Sequence, residues 1–136
     1  MNSQSPINIE EKNVKFQEFP PLKLAGHEFL SIFRGTLEAQ NTGSTLKLVA
    51  KEGVGMLTGG PLNVQYEFLE MHFHWGDYDC IEERKGSEHK INGKSYPIEL
   101  HMVHKNIHDA SVKDAVSHEN GLCVLGFVFD LSLIHI

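Results

Sequence analysis

Tyr66-Glu-Phe-Leu-Glu-Met-His-Phe-His-Trp75 carries the clearest architectural signal in the chain. Ten residues rich in aromatic and aliphatic side chains, ending at Gly76, read as one long β-strand. Side chains alternate across a strand, so Glu70, His72 and His74 project to one face and Met71, Phe73 and Trp75 to the other. The second set is the expected core face.

Working outward, the neighbouring stretches have the same character. Tyr96 to His104 reads as a second strong strand, and Ser31 to Leu37 and Thr45 to Val49 alternate more weakly. Leu122 to Phe129 is apolar except for Gly126, as expected of a strand buried on both faces. Turn signals separate these runs: Pro20-Pro21, Gly53, Gly55, Gly59-Gly60-Pro61, Gly76, Gly86, Gly93 and Gly121. Helical periodicity is confined to Asp109 to Ser117, with Asp109 as the expected N-cap. The chain is therefore predicted to be mainly β, without internal repeats.

Composition narrows the function classes. The 136 residues carry a formal net charge of −6 with 40% hydrophobic and 22% charged residues, enough apolar content for one packed domain. The acidic balance argues against a general nucleic-acid binder, and no apolar run reaches the ~20 residues of a membrane helix. Two cysteines, Cys80 and Cys123, permit at most one bridge. Cys123 reads as a buried, inert thiol inside its apolar run; Cys80 lies in a charged loop and is left open. Met1 to Pro6 lack the basic and apolar regions of a signal peptide, which favours the cytoplasm when taken by itself.

Nine histidines are the unusual feature. His72 and His74, two apart on a strand, place their imidazoles about 7 Å apart along it, close enough to share one ion. A bare His-x-His is more often a half-buried pair without a ligand. In the second strand Glu99, His101 and Val103 share a face, and Leu100, Met102 and His104 the other. If the two strands pair, His101 completes a set of three imidazoles, and Glu99 can accept its second N–H. Three imidazoles with an open position is the pattern of a catalytic rather than a structural zinc site.

Six blocks then place the chain beside a known family. Gln4-Ser-Pro-Ile-Asn-Ile9, Gly59-Gly-Pro-Leu62, His72-Phe-His-Trp-Gly76, Gly86-Ser-Glu-His89, Glu99-Leu-His-Met-Val-His104 and Gly121-Leu-Cys-Val-Leu-Gly126 occur in order, and the chain resembles the α-class carbonic anhydrases. The resemblance implies a large, twisted, mostly antiparallel sheet with a few short helices. It implies Zn2+ held by His72, His74 and His101, with Glu99 as outer acceptor for His101. Glu88 corresponds to a buried carboxylate that orients a threonine. Val103, Leu122 and Val124 resemble the apolar wall where carbon dioxide rests. The implied reaction is reversible hydration of carbon dioxide to bicarbonate and a proton, by attack of zinc-bound hydroxide.

The chain departs from that family in three respects. It amounts to roughly half a family domain, so residues 1–136 are expected to be a single partial domain, with 131–136 as a non-native tail and little activity in the chain alone. Ser44 follows Asn41-Thr-Gly43 where a proton-shuttling His is usual, and serine cannot cycle a proton near neutral pH. Glu70 stands where Gln is usual, as a carboxylate partner that raises the basicity of His72 or as a mere alternative acceptor. The remaining histidines are assigned no ligand role: His27, His108 and His118 to the surface, His104 to the core, His89 to structure and His135 to the tail.

Two other classes fit the residues less well. A catalytically silent relative acting as a binding module typically loses a zinc ligand, and here all three are present. A cupin-like metal protein expects a Glu shortly after the second His, which Trp75-Gly-Asp-Tyr-Asp79 lacks.

Overall fold

The computed structural model describes residues 5–26, 37–51, 55–76 and 85–130. Among the described residues nine strands run in chain order: β1 (Asn8–Ile9), β2 (Lys23–Ala25), β3 (Leu37–Asn41), β4 (Leu46–Ala50), β5 (Met56–Thr58), β6 (Tyr66–Trp75), β7 (Lys90–Ile91), β8 (Ile98–Asn106) and β9 (Leu122–Phe129). One short helix, α1 (Val112–Ala115), and a 3₁₀ turn at Glu11–Asn13 are the helical elements among the described residues. The mainly-β expectation holds. The chain divides into two compact units, residues 18–72 with 101–125 and residues 1–17 with 73–100 and 126–136. The division falls inside β6, β8 and β9, each of which contributes to both.

In the first of these units the sheet path is β2-β5-β6-β4-β3, with β8 paired to β6 and β9 to β8. Strand β6 is held antiparallel by two ladders. Met56 and Leu57 of β5 face Glu67 and Tyr66, while Lys47, Leu48 and Val49 of β4 face His72, Met71 and Glu70. Strands β3 and β4 form a hairpin closed by a bond from Thr42 N–H to the Thr45 carbonyl at 3.1 Å. Gly43 in that turn has φ +88°, a conformation that costs glycine nothing. Ser44 is exposed beside it.

The core here is Leu57, Tyr66, Phe68, Met102 and Ala115, together with buried His104 and Asn106. Burying each large apolar side chain contributes about 1.5–3 kcal/mol. The polar groups inside are bonded: the Tyr66 hydroxyl donates to the Asn120 carbonyl at 3.0 Å, and Asn106 Nδ2 donates to the same oxygen at 3.2 Å. His104 donates from Nδ1 to the Met102 carbonyl at 3.1 Å and meets the Phe68 ring edge-on at 5.4 Å. It is the packed core histidine expected. Gly121 lies so close to Ala115 that a Cβ there would sit 1.9 Å from the Ala115 carbonyl oxygen.

In the second unit β1 and β7 pair in parallel, Asn8 with Lys90 and Ile9 with Ile91. The N–H groups of Gly86 and Ser87 both donate to the Tyr96 carbonyl, at 2.9 and 2.7 Å. Ser87 Oγ accepts from Tyr96 N–H at 2.9 Å and donates to the His89 carbonyl at 2.7 Å. These bonds fix residues 86–89 against the start of β8.

Several expectations need correction. The core side of β6 begins with Tyr66 and Phe68, 4% and 2% exposed, which share parity with Glu70, His72 and His74; Trp75 on the opposite side is 47% exposed. Alternation gives the partition, but the partner strands decide which side is covered. Strand β9 is not buried on both faces: Val124, Phe127 and Phe129 are all exposed. The helix is Val112–Ala115, capped by Ser111 Oγ accepting from Asp114 N–H at 3.1 Å, not a run from Asp109. Asp109 is instead engaged by His118, Nε2 to Oδ1 at 2.9 Å. Strand β8 starts at Ile98 rather than Tyr96, one residue past Pro97, which has no N–H for a ladder. Ser31 to Gly35 and Thr36, His27, Cys80, Asp77 to Arg84 and His135 lie outside the described residues.

Candidate metal centre

Strand β6 positions the first pair of histidines. Glu70, His72 and His74 follow buried Tyr66 and Phe68 along one face, and both imidazoles are half-buried there. Both Glu70 carboxylate oxygens lie near His72 Nδ1, at 3.0 and 3.2 Å. A carboxylate there only accepts, so Nδ1 carries the proton and Nε2 keeps its lone pair. Lys47, directly across the ladder from His72, places its ammonium 3.6 Å from Glu70. That charge offsets the cost of holding a largely covered carboxylate.

Strand β8 supplies His101, 8% exposed. Its ring meets that of His72 nearly at right angles, with centroids 5.3 Å apart. His74, two residues beyond His72 on β6, has Nδ1 3.5 Å from the Glu88 carboxylate and a buried Nε2. One ring nitrogen from each of His72, His74 and His101 lies within 4.8 Å of the other two. Three neutral nitrogen donors of this kind suit a divalent ion of intermediate softness.

The other expected residues fall as follows. Glu99 is 1% exposed, and its carboxylate accepts from His89 twice, from the backbone N–H at 2.9 Å and from Nδ1 at 2.6 Å. Glu88, anticipated as buried, has a side chain 43% exposed. Val103 and Leu122 are half-buried, while Val124 is 49% exposed. Cys123 is free and half-buried, and burial pushes its thiol pKa up, as an inert core thiol requires. His108 and His118 are exposed, as expected.

Sequence reasoning missed two contacts. The Lys47–Glu70 pair follows from ladder register, which no local pattern discloses. Ser5 Oγ lies 2.9 Å from His89 Nε2, across 84 residues of sequence. The only available signal was that both residues belong to blocks singled out above.

Comparison with known proteins settles the family. The pattern of eukaryotic-type carbonic anhydrases matches residues 1–134. The chain belongs to the eukaryotic-type carbonic anhydrase family. It is 38% identical to human "Carbonic anhydrase 5A, mitochondrial" over 97% of its own length and 42% of that protein's. Against mouse "Carbonic anhydrase 5B, mitochondrial" identity is 43%, over 97% of this chain and 40% of the relative. Human "Carbonic anhydrase-related protein" is 31% identical, over 98% and 44%. The chain thus spans about two fifths of the length of these carbonic anhydrase relatives.

Proposed function

We propose that this chain is one partial carbonic anhydrase domain that supplies a zinc-binding triad, His72, His74 and His101, for reversible hydration of carbon dioxide to bicarbonate and a proton. The observation that carries the reading is the proximity of the three ring nitrogens within 4.8 Å, in a chain of this family. Zinc, when bound, would lower the pKa of a coordinated water to about 7, an effect for which carbonic anhydrase is the standard instance.

The chain's own residues set up that chemistry. Glu70 holds the proton at Nδ1 of His72 and so presents the Nε2 lone pair, and the Glu88 carboxylate 3.5 Å from His74 Nδ1 favours the same tautomer there. Glu99, two residues from His101 on the same side of β8, is assigned as acceptor for the His101 ring. Each carboxylate oxygen has two acceptor positions, so this is compatible with its bonds to His89. Val103 and Leu122, with Val124, offer the apolar surface against which an uncharged linear substrate rests. Ser44 cannot relay the released proton, so buffer or solvent must take it.

Zinc titration of the 136-residue chain tests the ligand set. One equivalent should bind, and binding should disappear in the His72→Ala, His74→Ala, His101→Ala triple variant while folding is retained by circular dichroism. Sulfonamide-sensitive carbon dioxide hydration is then sought in the complete domain. A chain that binds no zinc, or a triple variant that still binds it, defeats the assignment.

A further inference from the structure

We propose that Ser5 is a nucleophile, activated by His89 and Glu99, that takes an acyl group from activated esters independently of any metal. Glu99, His89 and Ser5 form a continuous chain of short contacts: Glu99 Oε1 to His89 Nδ1 at 2.6 Å, then His89 Nε2 to Ser5 Oγ at 2.9 Å. The carboxylate only accepts, so the neutral ring carries its proton on Nδ1 and turns the Nε2 lone pair toward the hydroxyl. This is the arrangement by which a serine is deprotonated during attack, recognised by geometry rather than by order in the chain.

The base is held from several sides. Glu99 Oε2 accepts from the His89 backbone N–H at 2.9 Å, and the His89 carbonyl accepts from Ser87 Oγ at 2.7 Å. Glu99 is 1% exposed, so its bond to the imidazole is shielded from water and correspondingly strong. Ser5, in contrast, is an exposed residue.

With an aryl ester, the Ser5 Oγ–carbon bond forms as the carbon–aryloxide bond breaks. The hydroxyl proton passes to His89 Nε2 and then to the departing aryloxide. Ser5 and His89 are the reacting groups, and Glu99 is a positioning residue. The step assigned is formation of the acyl adduct, and it needs none of His72, His74 or His101 as a ligand.

The test uses the intact chain with a chelator present, so that no metal-activated water contributes. A fluorophosphonate probe reports the nucleophile: the oxygen–phosphorus bond forms, the phosphorus–fluorine bond breaks, and His89 accepts the proton. Peptide mass spectrometry should place the adduct on Ser5, at a rate about 100-fold or more above that of exposed Ser44 in the same molecule. Ser5→Ala should abolish that adduct, and His89→Gln should slow it to the Ser44 rate. Because His89→Gln also removes a structural contact, labelling is repeated on the unsubstituted chain in urea, where Ser5 should lose its advantage. Equal rates at Ser5 and Ser44 in the folded chain overturn the proposal, as does undiminished labelling in a folded His89→Gln variant. Zinc titration fails or succeeds separately, so the two readings are judged apart.

Discussion

Glu70 and His72, two residues apart on β6, are joined side chain to side chain, with carboxylate oxygens 3.0 and 3.2 Å from Nδ1. The bond fixes both the tautomer and the orientation of the imidazole. Removing such a partner from a ligand typically costs about 10–100-fold in metal affinity. Glu70→Ala is therefore expected to weaken zinc binding by about that factor, measured by competition with a chromophoric chelator. An unchanged affinity would make Glu70 a bystander.

Ser44, exposed in the β3–β4 turn, bears on proton release rather than on binding. Ser44→His in the complete domain should raise carbon dioxide hydration in weak buffer and leave it nearly unchanged in concentrated buffer. The turn backbone already accommodates a polar residue there, so folding should be unaffected. Equal rates in both buffers would show that release proceeds by another route.

Phe68 joins β6 to the core through its edge-on contact with His104. At 2% exposure its truncation leaves a cavity beneath the strand that carries His72 and His74. Phe68→Ala should cost about 3–5 kcal/mol, read from the shift of a urea transition.

His118 donates from both ring nitrogens, Nδ1 to the Glu119 carbonyl at 2.7 Å and Nε2 to Asp109 at 2.9 Å. Both bonds need the cation, and the Glu119 carbonyl followed by the Asp109 carboxylate raises its pKa above the ordinary 6.5. A raised folded-state value means stabilisation is complete below 6.5 and fades as pH climbs through the folded value. His118→Gln should accordingly lower stability at pH 5.5 and make no difference at pH 9. An NMR titration of His118 with a midpoint at or below 6.5 would contradict this.

Cys123 offers a probe of β9. Burial holds its pKa above 9.0, so the thiol stays protonated at pH 8 in the folded chain. Its stabilising contribution is complete below 9.0 and is lost as pH rises toward the folded value. Alkylation by iodoacetamide at pH 8 should accelerate about 10-fold or more in urea, because the thiolate is the reactive form. Comparable rates in folded and unfolded chains would place Cys123 at the surface.

Much of this molecule is legible from local pattern. The bounds of β6 and β9 follow from stretches dense in aromatic and aliphatic residues, one ending before Gly76 and the other starting after Gly121. The shared face of Glu70, His72 and His74 follows from two-residue alternation. What alternation cannot supply is the identity of the covered face, which is why Phe68 rather than Trp75 lies in the core. Nor can it supply contacts that arise only when distant strands take their places. Lys47 reaches Glu70 because β4 happens to face β6 at that register, and Ser5 reaches His89 because β1 runs beside β7. The short helix illustrates a third limit. Asp109 and Ser111 are both competent caps; Ser111 takes that role, while the Asp109 carboxylate accepts from His118.

The double ladder on β6 has a consequence for how this sequence tolerates length changes. Sliding the strand by one residue would exchange Glu70, His72 and His74 for Met71, Phe73 and Trp75 and invert every side chain at once. Ladders to Met56–Leu57 and to Lys47–Val49 pin the strand at its start and at its middle against such a slip. Insertions or deletions should thus be accepted in the turn before Tyr66, yet a single codon gained or lost between Phe68 and His72 should erase the centre while leaving a β protein behind.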